Sequence, residues 1–173
     1  MGNYFQELFR PTPGVATPGV ATPEALARGL RLGDSLDQVL GQESGTPYHN
    51  LTSRVLTYSY PISGRSSLYY NVYYTYDETR SLREISLSLE FDQRADKPGS
   101  FKTFEKMLTD IHNYLEVRFG EPETQITKTR AAGDEIYHRW QPADLPGVQI
   151  LKVLYANPKY GIKRAIRVDF TQV

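Results

Sequence analysis

Cysteine is absent from this chain of 173 residues, which excludes disulfides, thiolate nucleophiles, cysteine-ligated zinc and iron–sulfur clusters. An excess of either charge is missing too. The 20 Lys and Arg balance the 20 Asp and Glu, so no global field draws the chain to nucleic acid or to an anionic membrane. No run approaches the roughly 18 consecutive apolar residues that a bilayer span needs, and the opening MGNYFQELFR has no apolar signal core. With Met1 in place, the expectation is a soluble, cytoplasmic protein. Histidine is scarce, and His49, His112 and His138 fall on a loop, a helix face and a strand without H-x-x-x-H or H-E-x-x-H spacing, so no metal site is expected. The chain also lacks a G-x-S-x-G nucleophile turn and both glycine-rich phosphate loops. No catalytic residue and no cofactor is assigned, and the chain reads as a non-enzyme.

Aromatic residues are plentiful, with 13 Tyr and 7 Phe, and the 39% hydrophobic and 23% charged fractions are those of a globular chain. Residues 1–22 read as an N-terminal arm. Tyr4, Phe5, Leu8 and Phe9 share one face of a two-turn helical tip, and the repeat TPGVA-TPGVA from Thr12 supplies turn-forming Pro-Gly pairs as a linker. Residues 23–173 read as one α+β domain. Thr22, Pro23 and Glu24 predict a short helix to about Arg28, stopped by Gly29. Asp34 predicts the cap of a second, with Leu36, Val39 and Leu40 as its apolar stripe and Gly41 as its left-handed end. The stretch from Gln42 to Asn50 reads as a polar loop.

Three strand patterns follow. Leu56, Tyr58, Tyr60 and Ile62 form one apolar face, and the run from Leu68 to Tyr76 is aromatic on both faces. In the third, Ile85, Leu87, Leu89 and Phe91 alternate with Glu84, Ser86, Ser88 and Glu90, as expected where one sheet face is solvated. Ser100 then caps one long helix, from about Phe101 to Phe119. Phe104, Met107, Ile111 and Leu115 lie on its apolar stripe, with Lys106, Asp110, His112 and Glu116 on the wet side. Gly120 and Pro122 end it. Four more strands are predicted at Thr124 to Arg130, Glu135 to Gln141, Val148 to Tyr155 and Ile162 to Phe170. The expected architecture is therefore two antiparallel sheet units, of three and then four strands, around one long helix. The order of elements reads as an internal duplication, 23–99 and 100–173.

This order, together with GLRLGDSLDQVLGQ at 29–42, which looks like a short G-x-S/T-x-x-x-V helix start, resembles the fold of the beta-lactamase inhibitory protein and of the small outer-membrane assembly lipoproteins. The resemblance implies a bacterial protein whose sheet binds another protein and does no chemistry. The chain departs from the pattern in having no lipobox cysteine and no disulfides.

The most distinctive local feature is the set of seven tyrosines between Tyr58 and Tyr76, residues that offer large, rigid, amphipathic contact area. Tyr69 and Tyr73, opposite Leu68 and Val72, are the expected exposed pair, and Arg54 joins them in the partner-binding set. The other members are Tyr4, Phe5, Leu8 and Phe9, too few to bury one another. The expected function is a protein-binding module of immunity, inhibitor or assembly-adaptor type, whose partner is a toxin, effector or assembly subunit. The alternative is a small-ligand-binding or hydrolytic α+β domain with a pocket between the long helix and the sheet.

Overall fold

The structure is a computed structural model that describes residues 26–62, 65–92, 100–130, 133–157 and 163–173. Its strands are β1 (Tyr48–Asn50), β2 (Val55–Ile62), β3 (Arg65–Tyr76), β4 (Leu82–Asp92), β5 (Thr124–Arg130), β6 (Gly133–Trp140), β7 (Val148–Asn157) and β8 (Lys163–Gln172). The helices are α1 (Leu36–Gln42) and α2 (Ser100–Phe119). All eight strands belong to one sheet in the order β1-β2-β3-β4-β8-β7-β6-β5, with every neighbour antiparallel. This overturns the expected two sheet units around a central helix. Each half is a helix followed by a four-strand meander, and the halves fuse because the last strand of one pairs with the last strand of the other along Glu84–Asp92 and Lys163–Thr171. Two separate units would each leave a long edge of unpaired backbone groups at β4 and β8, and fusion satisfies both.

Alternation along the strands assigns the two faces. On the inner face, Leu87 lies beside Val168, and Ile85 lies beside Phe170 and through it Ile150, so the apolar rows run unbroken across the junction. Both helices lie on this side. Phe91 meets Phe104, Phe119 meets Phe170, and the indole of Trp140 donates to the Gly120 carbonyl at 2.8 Å. Phe104, Met107, Ile111 and Leu115, spaced at three and four residues, are buried and fill the space between α2 and the sheet. The left-handed Gly120, with φ of 80°, ends α2 as its sequence predicts.

Residues 26–50 depart most from expectation. Instead of ending a helix, Arg28 and Gly29 take left-handed φ angles of 54° and 76°, and Ala27 bridges Leu30 in a tight reversal. The cap of α1 is Ser35, in a reciprocal capping box with Gln38, while Asp34 accepts from the Arg31 amide at 2.8 Å. Gly41 lies inside the helix rather than at a left-handed end, and Leu40 is 43% exposed. The supposed polar loop contains the edge strand β1, and Glu43 is 6% exposed. Ser63, Gly64 and the loop around Lys97 lie outside the described residues.

The reason for that burial is Arg28. Its Nη2 donates to Glu43 Oε2 at 2.7 Å and its Nε to Oε1, while Tyr60 donates to the same carboxylate at 2.6 Å and Tyr74 from below. The guanidinium stacks over the Tyr60 ring, 4.8 Å from its centre. Burial by itself would push the Glu43 carboxyl up, but the bonds and charge of Arg28, with the two phenols, hold it below the usual range. The inward tyrosines of β2 and β3 thus act as hydrogen-bond donors to a buried ion pair that pins residues 26–43 to the sheet. Glu43→Gln leaves the Arg28 cation buried without its counter-charge, and is expected to lower unfolding stability by about 3 kcal/mol in a urea titration.

Candidate functional site: the uncovered sheet face

Among the described residues no element covers the outer face of the sheet. Its rows follow from the register. One runs Tyr48, Thr57, Tyr73, Ser86, Asp169, Leu151, Arg139, Thr124, and the next runs Ser59, Asn71, Ser88, Arg167, Val153, Tyr137, Ile126. Two regions with different chemistry result.

On β1, on β2 and on β3 from Tyr69 onward, the described outward positions are Tyr48, Asn50, Val55, Thr57, Ser59, Pro61, Tyr69, Asn71, Tyr73 and Thr75, and none of these bears a charge. Tyr48 is 70% exposed, Tyr69 is 48% exposed and Tyr73 is half-buried between its neighbours. Ser59 and Asn71, cross-strand partners, are hydrogen-bonded at 2.5 Å. Tyrosine with serine, asparagine and threonine on paired strands combines stiff aromatic area with adaptable hydrogen-bonding groups.

The central strands carry charge. Arg167 donates to Asp169 at 2.5 Å, to Glu84 at 3.0 Å and to Ser86 at 3.1 Å, so its side chain bridges β8 to β4. Burial raises the Asp169 carboxyl above its ordinary value despite the opposing pull of Ser86 and Arg167. Ser86 and Ser88, expected in solvent, are instead buried, and so is Val153. Arg167, which donates to Ser86 and lies opposite Ser88, reaches across this row, so facing away from the core does not make these positions wet. Further out, Lys128 lies over the Tyr137 ring at 4.8 Å, and Ile126 is 49% exposed on the edge strand β5.

The residues singled out from sequence are only partly brought together. Tyr69 and Tyr73 share the outer face of β3, but Arg54 stands at the far end of the same strands. It has a left-handed φ of 55°, accepts the Tyr76 amide at 3.1 Å and pairs with Glu78 at 2.8 Å. Seven residues of strand between Tyr69 and Tyr76 amount to about 23 Å. Tyr4, Phe5, Leu8 and Phe9 lie outside the described residues. Tyr48 was hidden in sequence because β1 has only three residues, too few to show a period. A shallow pocket of about 390 Å³ beside Pro142, Leu145, Val148 and Val173 bears no charged side chain.

On the helix side, His112 and His138, distant in sequence, meet with ring centres 5.1 Å apart, and His112 accepts from Lys152 at 2.5 Å. His112 therefore does not lie on the wet side of α2. Among the described residues no group of three His, Cys, Asp or Glu is placed to hold a metal ion. No helix there is long and apolar enough to cross a membrane.

No protein-family model, curated protein or solved structure matches this chain. Geometry alone carries the functional reading.

The charged bridge sets a measurable expectation. Arg167→Met leaves Glu84 and Asp169 without their shared cation, at an expected cost of about 1 kcal/mol at pH 7 after allowance for solvent screening. Urea unfolding at pH 4, where the raised Asp169 carboxyl is partly protonated, should show a smaller difference between the two proteins.

Proposed function

We propose that this protein is a non-catalytic binding module that holds another protein against the outer face of β1 to β3, with Tyr48, Tyr69 and Tyr73 as the aromatic anchors. The observation that carries the reading is the uncharged Tyr, Ser, Asn and Thr surface on three adjacent strands. Such a surface loses little hydration on contact because it buries no charge, and its strands are already ordered, so little conformational entropy is lost there. The opposite sides of the same strands hold the Arg28–Glu43 cluster, which stiffens the platform from behind. The reading includes the arm as a second contact, through Tyr4, Phe5, Leu8 and Phe9. It also retains the bacterial setting implied by the likeness of residues 29–42 to inhibitory-protein and assembly-lipoprotein domains. A toxin or effector fits the immunity or inhibitor form of the reading, and an assembly subunit fits the adaptor form.

Tyr69→Ala combined with Tyr73→Ala tests the face directly. A partner captured by the unaltered protein should bind the double variant about thirtyfold more weakly, about 2 kcal/mol, while Val117→Ala on the exposed side of α2 binds as before. Thermal unfolding should be nearly unchanged in all three proteins. Equal affinity in calorimetry for the unaltered protein and the double variant would remove the sheet face from the interface.

A further inference from the structure

The second half of the sheet holds a polar cluster that the binding reading does not use. Lys152 on β7 and His138 on β6 are cross-strand neighbours on the inner face, beneath α2. His112 of α2 comes down on both, and Glu116, one turn on, reaches its other ring nitrogen at 3.0 Å. Lys152 is only 6% exposed. On the flanking strands the inward positions beside this pair are Val168 of β8 and Gln125 of β5, so among the described residues no other titratable group faces the cluster from the sheet.

Hydrogen bonding dictates which protons are present. An ammonium has only donors, so Nδ1 of His112 must be the acceptor toward Lys152, and its Nε2 carries the proton that Glu116 receives. The ring is therefore held neutral. A second proton would go on Nδ1, 2.5 Å from a cation, and would turn that bond into a donor–donor clash. His138 is in similar difficulty. Its Nδ1 is buried with no hydrogen-bond partner among the described residues, its ring stacks beside Trp140, and its charged or chargeable neighbours are Lys152, His112 and, acting in the opposite sense, Glu116. A proton on Nδ1 would place charge at a buried atom with no acceptor.

We infer that Lys152, His112, His138 and Glu116 form an acid-released latch, closed while both imidazoles are neutral and opening α2 from β6 and β7 when they take up protons. Burial and the Lys152 charge depress both imidazoles, His138 to about 4, and burial lowers Lys152 itself to about 8. Lys152 is thus charged at pH 7 while the histidines are not. When α2 lifts, the rings meet water and return to the ordinary value near 6.5, so the open form binds more protons than the closed form as pH falls below 6.5. For the two imidazoles the latch is at full strength above that value and weakens toward about 4, while the depressed Lys152 already costs the closed form stability as pH falls from 10.5 toward about 8. Opening uncovers the apolar inner row of Trp140, Ile150 and Phe170. The first half responds differently. The buried Glu43 carboxyl is held below its usual range, so its contribution persists until pH falls below about 4.5.

Amide hydrogen exchange on the full chain between pH 8 and pH 5, corrected for intrinsic rates, separates the halves. Protection of the α2, β6 and β7 amides should drop at least tenfold over this range while β2 to β4 hold theirs. His138→Phe, which keeps the stack on Trp140, and Lys152→Met, which removes the repelling cation, should each reduce that drop. Equal protection of α2 at both pH values in the unaltered protein would overturn the latch. So would a parallel loss in β2 to β4, or an undiminished drop in the folded variants.

Discussion

The pairing of β4 with β8 makes two meanders into one sheet, and the core depends on that junction. Nine successive residue pairs, from Glu84 with Thr171 to Asp92 with Lys163, bring Ile85, Leu87 and Leu89 alongside Phe170, Val168 and Ile166. A meander of four strands with one helix has a narrow apolar face. Joined edge to edge, the two faces form a single hydrophobic layer that both helices cover from the same side. The junction also removes the two most exposed lengths of unpaired backbone, leaving only the three-residue β1 and the Lys- and Arg-bearing β5 as edges.

Each half places a buried charge under its helix, and the two are solved differently. In the first, Arg28 meets a carboxylate that also receives two phenol protons, so its donors and acceptors match. In the second, Lys152 meets a neutral imidazole, and the nearest carboxylate, Glu116, lies on the far side of that ring. A matched cluster holds its segment over a wide pH range, whereas one without a direct counter-ion depends on the protonation state of its neighbours. The same architecture therefore has a firm half and a half sensitive to acid. The uncharged tyrosine-bearing surface sits on the firm half, where a partner would meet strands that do not rearrange.

Alternation and helical spacing made much of this legible. The inward sets on β2, β4 and β8, the stripe of α2, and the outward placing of Tyr69 and Tyr73 all follow from periods of 2 and 3.6. What escaped has a common cause. Arg28 was placed in a helix because the residues before it carry good start signals, yet its backbone follows the demand of Glu43, fifteen residues away, for a buried cation. Ser86 and Ser88 lie on the outward face as their spacing requires, but burial there depends on Arg167, some eighty residues on.

The sequence by itself determined the elements from β2 onward, their faces and the absence of thiol chemistry, because these follow from interactions among residues a few positions apart. Only the tertiary structure decided that there is one sheet, that Arg54 stands apart from Tyr69, and that His112, His138 and Lys152 converge. Each of those depends on which strand edges meet and in what register, and backbone pairing leaves no periodic mark in the chain. A buried charge likewise has no local signature, since its partner is chosen by the fold.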